Sequence, residues 1–226
     1  MADLVIQIAG NICAGKSELV KYIGENGTFS PDKGISIVPE FVDPEALMLF
    51  YRDRKAYSEI FEDSCLTGRI VRHMKLKHEQ AIHFIDRGII EGAETFCQNS
   101  FQQGYLSHEA YQRYIDKIKR AFDQLDRTQQ QSWLEQIVVY LRVKDPQVLQ
   151  ARKKLRGTKG ENVPLDYLTR VNNLYEQLFN DVNHVYSRYG VHPPRVIEID
   201  AETDFNHDRS YHKNIFDQVV KTVQQG

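Results

Sequence analysis

The chain has 226 residues, 41% of them hydrophobic and 27% charged. At roughly 100–200 residues per domain, this predicts a single domain over 1–226, with a core large enough to need no metal or disulfide staple. The 29 Lys+Arg against 31 Asp+Glu give a net charge of −2, which removes any general ground for nucleic acid or an anionic membrane as partner but leaves room for a local basic cluster. Three widely spaced cysteines, no basic-then-apolar leader and no apolar run near the ~18 residues of a membrane span predict a reduced, cytoplasmic protein.

Leu4–Ala9 is a short apolar run ending at Gly10, which predicts a buried strand and a turn. A helix pattern follows from Lys16 to the Asn26-Gly27 breaker. Ile35–Pro39 is a second strand, Ala46–Tyr51 is helical, and a longer helix is predicted from Tyr57 to His78. Ala81–Asp86 is a third strand that ends in an acid. Two helices follow, the second opening at Ser107 with Tyr111, Tyr114, Ile115, Ile118, Phe122 and Leu125 in helical rhythm. Ile137–Val143, a helix over Pro146–Arg156, a helix from Pro164 to Leu178, a strand at Arg195–Asp200 and a helix near Asn214–Val223 complete the chain. Strands alternating with helices predict an α/β fold with a parallel sheet flanked on both faces.

The strongest chemical signal is Gly10-Asn11-Ile12-Cys13-Ala14-Gly15-Lys16-Ser17, which fits GxxxxGK[ST] between a strand and a helix. The glycines let backbone N–H groups converge on a phosphate, and the helix adds its positive end. Lys16 supplies a cation for the β/γ-phosphates, and the Ser17 hydroxyl can ligate Mg²⁺. Glu40, just past the second strand, can take a proton from an attacking hydroxyl; alone, it also reads as an ordinary loop acid. Asp86 and Arg87 end the third strand, where an acid commonly holds a metal shell, although a strand-terminal ion pair is the plainer alternative. Arg152 and Arg156 share a helix face before Gly157 and Gly160 and can form a basic flap over a triphosphate, or simply a solvated helix end.

These segments resemble one family. GNICAGKS, VPEFV, FYRD…YSEIFED…R, DRG, RKKLRG…E and VIEIDAETDF follow the order and spacing of the deoxyribonucleoside kinases, from about residue 4 to residue 206. The resemblance implies a five-stranded P-loop kinase fold with a short arginine-containing lid, usually dimeric through a helical face to which the Tyr111–Leu125 helix can contribute. It also implies transfer of the γ-phosphoryl of ATP, with Mg²⁺, to the 5′-hydroxyl of a deoxynucleoside. Glu40 then falls on the general base, Arg87 on the arginine near the 5′-oxygen and Asp86 on the acid of the metal site. Tyr51 and Glu161 fall on the sugar 3′-hydroxyl site, Arg152 and Arg156 on the flap, and Thr203, Asp204 and Phe205 on the loop around the donor adenine.

The departures concern the acceptor. Glu62 stands where the family usually has Gln, Gly92 where it carries an Asp, Gly88 where it has Ser, and Thr158 where it has a further flap arginine. Glu62 and Arg69 are seven apart on one helix face. An ionised Glu only accepts hydrogen bonds, which matches guanine N1–H and N2–H₂, while Arg69 without its Asp partner reaches toward O6 or N7. The expectation is a preference for deoxyguanosine or another purine. Two alternatives stand beside it: a thymidylate-kinase-like monophosphate kinase, disfavoured because the sequence offers no spare arginine beside Glu40, and a non-catalytic nucleotide-binding subunit.

Overall fold

The computed structural model describes residues 4–29, 34–40, 42–76, 81–129, 134–158, 162–203 and 209–225, with backbone only for 125–129 and 209. Five strands, β1 (Leu4–Ala9), β2 (Ile35–Val38), β3 (Ile82–Asp86), β4 (Ile137–Arg142) and β5 (Arg195–Asp200), form an all-parallel sheet in the order β2-β3-β1-β4-β5. The expected α/β fold is thus the observed one. The register aligns Ile6 with Phe84 on one side and Ile137 on the other. From β1 the chain runs out to β2, returns to β3, then crosses to β4. The loop after β1 therefore sits where the order reverses, the point at which parallel sheets collect ligands.

Helices cover the sheet: α1 (Lys16–Asn26), α2 (Pro44–Arg52), α3 (Arg54–Leu76), α4 (Ile89–Gly92), α5 (Gln98–Gln102), α6 (His108–Gln129), α7 (Pro146–Arg156), α8 (Leu165–Asn180), α9 (Val182–Ser187) and α10 (Arg209–Gln224). Their starts follow local chemistry. Asp43 caps α2 by accepting from the Glu45 and Ala46 amides at 2.8 and 3.1 Å, and Asp145 caps α7 through the Gln147 amide at 2.8 Å. Each cap precedes a proline, whose missing N–H costs nothing at the first helical position.

Three departures from the sequence reading are clear. The long helix runs from Arg54 to Leu76 and not from Tyr57 to His78. A π-helical turn at Ala93–Cys97 joins α4 to α5, and α9 occupies a stretch assigned no element. One apolar core lies on the sheet around Ile6, Ile8, Phe84, Val139 and Tyr175. A second lies between α3, the α4–α5 helix, α6 and α9. The α6 stripe is used there: Tyr114, Ile118 and Phe122 are buried within the chain. No helix of the described residues is long and apolar enough to cross a membrane.

Candidate active site

The carboxyl ends of β1, β2 and β3 deliver three groups of side chains to one cavity of about 590 Å³. From the loop after β1 come Ile12, Cys13, Gly15, Lys16 and Ser17; from the end of β2, Glu40; from the end of β3, Asp86 and Arg87. Tyr51, Glu62 and Arg69 reach it from α2 and α3, and Arg152 and Arg156 from α7. Phe61, Phe96 and Tyr167 add aromatic walls. Gly10, Asn11, Ala14, Gly92 and Thr203 stand outside the wall. Glu161, Asp204 and Phe205 lie outside the described residues.

The loop makes a tight turn around the Lys16 ammonium. Gly10 has φ 148°, Cys13 65° and Gly15 104°, left-handed values that glycine adopts without strain and Cys13 does not. Lys16 Nζ donates to the Gly10 and Asn11 carbonyls at 2.9 and 3.1 Å. Burial, then the nearby Arg87 charge, lower its pKa. Ser17 Oγ donates to Asp86 Oδ2 at 3.3 Å, while Asp86 Oδ1 is buried without a hydrogen-bond partner among the described residues. One hydroxyl and one carboxylate with an unmatched buried oxygen fit Mg²⁺, which prefers few protein ligands together with phosphates. Among the described residues there is no cluster of three or more His, Cys, Asp or Glu that would favour a metal held wholly by protein.

Glu40 is gripped from both sides. Arg69 Nη2 donates to Oε1 at 2.6 Å and Arg87 Nε to Oε2 at 3.0 Å. Burial alone would raise the carboxyl pKa, but Arg87 and then Arg69 outweigh it and hold the group at about 2. Glu40 is a carboxylate at any physiological pH. The absence of a spare arginine beside Glu40 therefore does not hold: Arg69, twenty-nine residues away in sequence, is brought there by packing. Nor is Arg69 left without an acidic partner.

Arg87 is fixed from several directions. Its Nη1 donates to the Tyr175 hydroxyl at 2.8 Å and lies 3.6 Å from Glu91 Oε1, and its guanidinium sits 4.1 Å over the Phe96 ring. Glu91 also accepts from the Gly10 and Gly88 amides at 3.2 and 3.0 Å and from Gln7 at 2.7 Å. Behind them, Arg72 donates to the Pro39, Asp86 and Arg87 carbonyls, tying the ends of β2 and β3 together.

Glu62 sits in surroundings that oppose its expected ionised state. It is 2% exposed and accepts from Ser100 Oγ at 2.9 Å. Burial pushes its pKa up to about 7, more than the Ser100 bond and the Arg69 charge pull it down. Arg152 donates to the Glu202 and Thr203 carbonyls at 3.3 and 3.0 Å, so the basic helix is moored to the loop after β5, whereas the Arg156 side chain is exposed.

The profile of the deoxynucleoside kinase family matches residues 6–224. The chain belongs to the deoxynucleoside kinase family. A deoxyguanosine kinase from Dictyostelium discoideum is 25% identical over 178 residues, which cover 76% of this chain and 58% of that relative. The chain thus spans less than two thirds of the relative it matches.

Within this deoxynucleoside kinase fold the unusual Gly88 has a steric cause. A Cβ there would lie 2.0 Å from Gln7 Oε1, because the Gln7 amide fills that space on its way to Glu91. Sequence reading missed Arg72, Glu91, Phe96, Ser100, Tyr167 and Tyr175 as parts of the site. Glu91 and Phe96 carried a usable signal, Glu91 lying on the helix that directly follows the DRG motif and Phe96 on the π-helical turn after it. Arg72 reaches the site through a contact 14 residues apart in the chain, Ser100 through one 38 apart, and Tyr175 through contacts 88 and 165 apart.

Proposed function

We propose that the protein transfers the γ-phosphoryl group of ATP to the 5′-hydroxyl of a deoxynucleoside. One observation carries the reading: the Glu40 carboxylate, held between Arg69 and Arg87, shares a cavity with the phosphate-binding Lys16 and Ser17. The hydroxyl oxygen forms a bond to the γ-phosphorus, the bond from that phosphorus to the β–γ bridging oxygen breaks, and ADP leaves. Glu40 takes the hydroxyl proton as the new bond forms. Lys16 and Arg87 face the transferring group and offset its charge. Mg²⁺, held by Ser17 and Asp86, supplies charge neutralisation at the phosphates when bound. Tyr51 faces the sugar, Phe61 and Phe96 flank the base, and Arg152 and Arg156 cover the triphosphate.

Deoxyguanosine is the favoured acceptor when Glu62 is ionised, because guanine then offers N1–H and N2–H₂ to an acceptor-only side chain. A homodimer through α3 is supported by Ile60, Val71 and Met74, which are 59%, 46% and 44% exposed on that helix. The pairing of two arginines with Glu40 gives a monophosphate acceptor a second claim on the site. Phosphoryl transfer from labelled ATP to the four deoxynucleosides and to their monophosphates separates the two. Transfer to nucleosides, lost in Glu40→Gln, supports the proposal; transfer to monophosphates alone, insensitive to that substitution, overturns it.

A further inference from the structure

Arg69 shares a helix face with Glu62, which makes it a natural reader of the nucleobase, yet the one hydrogen bond its guanidinium makes among the described residues is to Glu40, Nε and Nη1 being buried without partners there. It is 4% exposed, and Nη2 donates to Glu40 at 2.6 Å. The path it takes runs across Gly92. A Cβ built on Gly92 would lie 2.1 Å from Arg69 Nη1, 2.9 Å from Cζ and 3.5 Å from Nε. All three nearest atoms belong to the same guanidinium. Gly92 has φ −60° and ψ −39°, helical values open to any residue, so the glycine serves space and not backbone conformation. The other oxygen of Glu40 is taken by Arg87. Each carboxylate oxygen thus has its own guanidinium, and the plane of the carboxylate is fixed by the pair.

We propose that Arg69 is a positioning residue for the general base Glu40 and not a reader of the nucleobase, and that Gly92 provides the gap through which it reaches that place. The inference rests on the reading of Glu40 as the base. Removing one of two charge-assisted hydrogen bonds leaves the carboxylate free to rotate away from the acceptor hydroxyl. Misplacement of a reacting group by about 1 Å costs up to about 100-fold in rate.

Two variants test this by different routes. Arg69→Met removes the guanidinium; Gly92→Ala keeps it but places a methyl where it lies, in a helical position that suits alanine. Steady-state kinetics are measured with all four deoxynucleosides. The expected result is a fall in kcat of about 10- to 100-fold in both variants, the same for every base, with the ratios of KM among the four unchanged within about 2-fold. In a Glu40→Gln background, Arg69→Met should cost less than about 3-fold more, because its route of action is already gone.

A base-dependent rise in KM with kcat intact would overturn the proposal and return Arg69 to base reading. Wild-type kinetics in Gly92→Ala would also overturn it, as would full additivity with Glu40→Gln. If Arg69→Met does not fold, Gly92→Ala decides alone. A wild-type enzyme that uses no deoxynucleoside would sink the kinase reading, a failure visible before either variant is made.

Discussion

Glu62→Gln tests the most consequential difference between the sequence reading and the structure. Glu62 is 2% exposed, and burial raises its pKa from 4.5 to about 7. Below pH 4.5 it is protonated in both the folded and unfolded chain, and the perturbation has no effect on stability. Between 4.5 and 7 the unfolded chain ionises while the folded one keeps its proton, so folding loses free energy as pH rises. Above 7 the full shift is felt, about 3 kcal/mol at ~1.4 kcal/mol per unit. Glutamine has no charge to desolvate and retains an oxygen for the Ser100 hydroxyl. Glu62→Gln should therefore raise stability by up to about 3 kcal/mol at pH 8, or roughly 6–12 °C in Tm for a chain of this size, and change it little at pH 4.5. Urea unfolding at the two pH values measures the difference directly. A stability change equal at both would refute the burial argument.

The same titration should appear in substrate choice. A protonated Glu62 both donates and accepts, as Gln does, and so fits adenine or cytosine edges. About a tenth of the residue is ionised at pH 6 and about nine tenths at pH 8. The ratio of kcat/KM for deoxyguanosine to that for deoxyadenosine should rise across this range in the wild type and stay flat in Glu62→Gln. A flat ratio in the wild type would show that Glu62 does not meet the base.

Other expectations follow from the same geometry. Glu40→Gln should lower kcat by about 10²- to 10⁴-fold with little change in KM, as expected for removal of a general base; a loss confined to KM would contradict that role. Gly88→Ala should destabilise by about 1–3 kcal/mol in urea unfolding, because the added Cβ meets Gln7 Oε1 at 2.0 Å, and Gln7→Ala should relieve most of it. Cys13 lines the cavity, so ATP should slow its alkylation, while Cys65, its thiol pushed up to about 12 by burial, and Cys97, pushed up by the same cause, should label slowly with or without ATP. Equal labelling of Cys13 in both conditions would place it outside the triphosphate site.

What was legible in the sequence is what depends on neighbours in the chain. The phosphate loop, the acid and arginine ending β3 and the bounds of β5 come from apolar runs and turn residues, and those signals are local. The π-helical turn at Ala93–Cys97 was hidden because its residues are ordinary helix formers. In the structure that turn packs against α8, far along the chain. The charge state of Glu62 was hidden for a related reason: the side chain is identical on a solvated or a buried helix face, and only the approach of Ser100 from α5 shows which one this is. The same holds for Arg69, whose lack of a nearby acid in sequence said nothing about Glu40 in space.

The two glycines after β3 carry this furthest. In sequence, Gly88 and Gly92 look like losses of a serine and an aspartate. In the structure each makes room for a side chain from another element, Gln7 from β1 and Arg69 from α3. Between them Glu91 binds the Gln7 amide and the Gly10 backbone. Restoring one family residue alone should therefore conflict with its guest. Gly92→Asp is the informative case, since it displaces the Arg69 guanidinium and offers it a competing carboxylate. Arg69 paired with a carboxylate at position 92 would leave Glu40 with Arg87 alone. We expect kcat to fall about as far as in Gly92→Ala, with a base dependence of KM that the alanine variant lacks. Kinetics of the two variants on all four deoxynucleosides decide it: identical behaviour would mean that position 92 acts on Arg69 by volume alone.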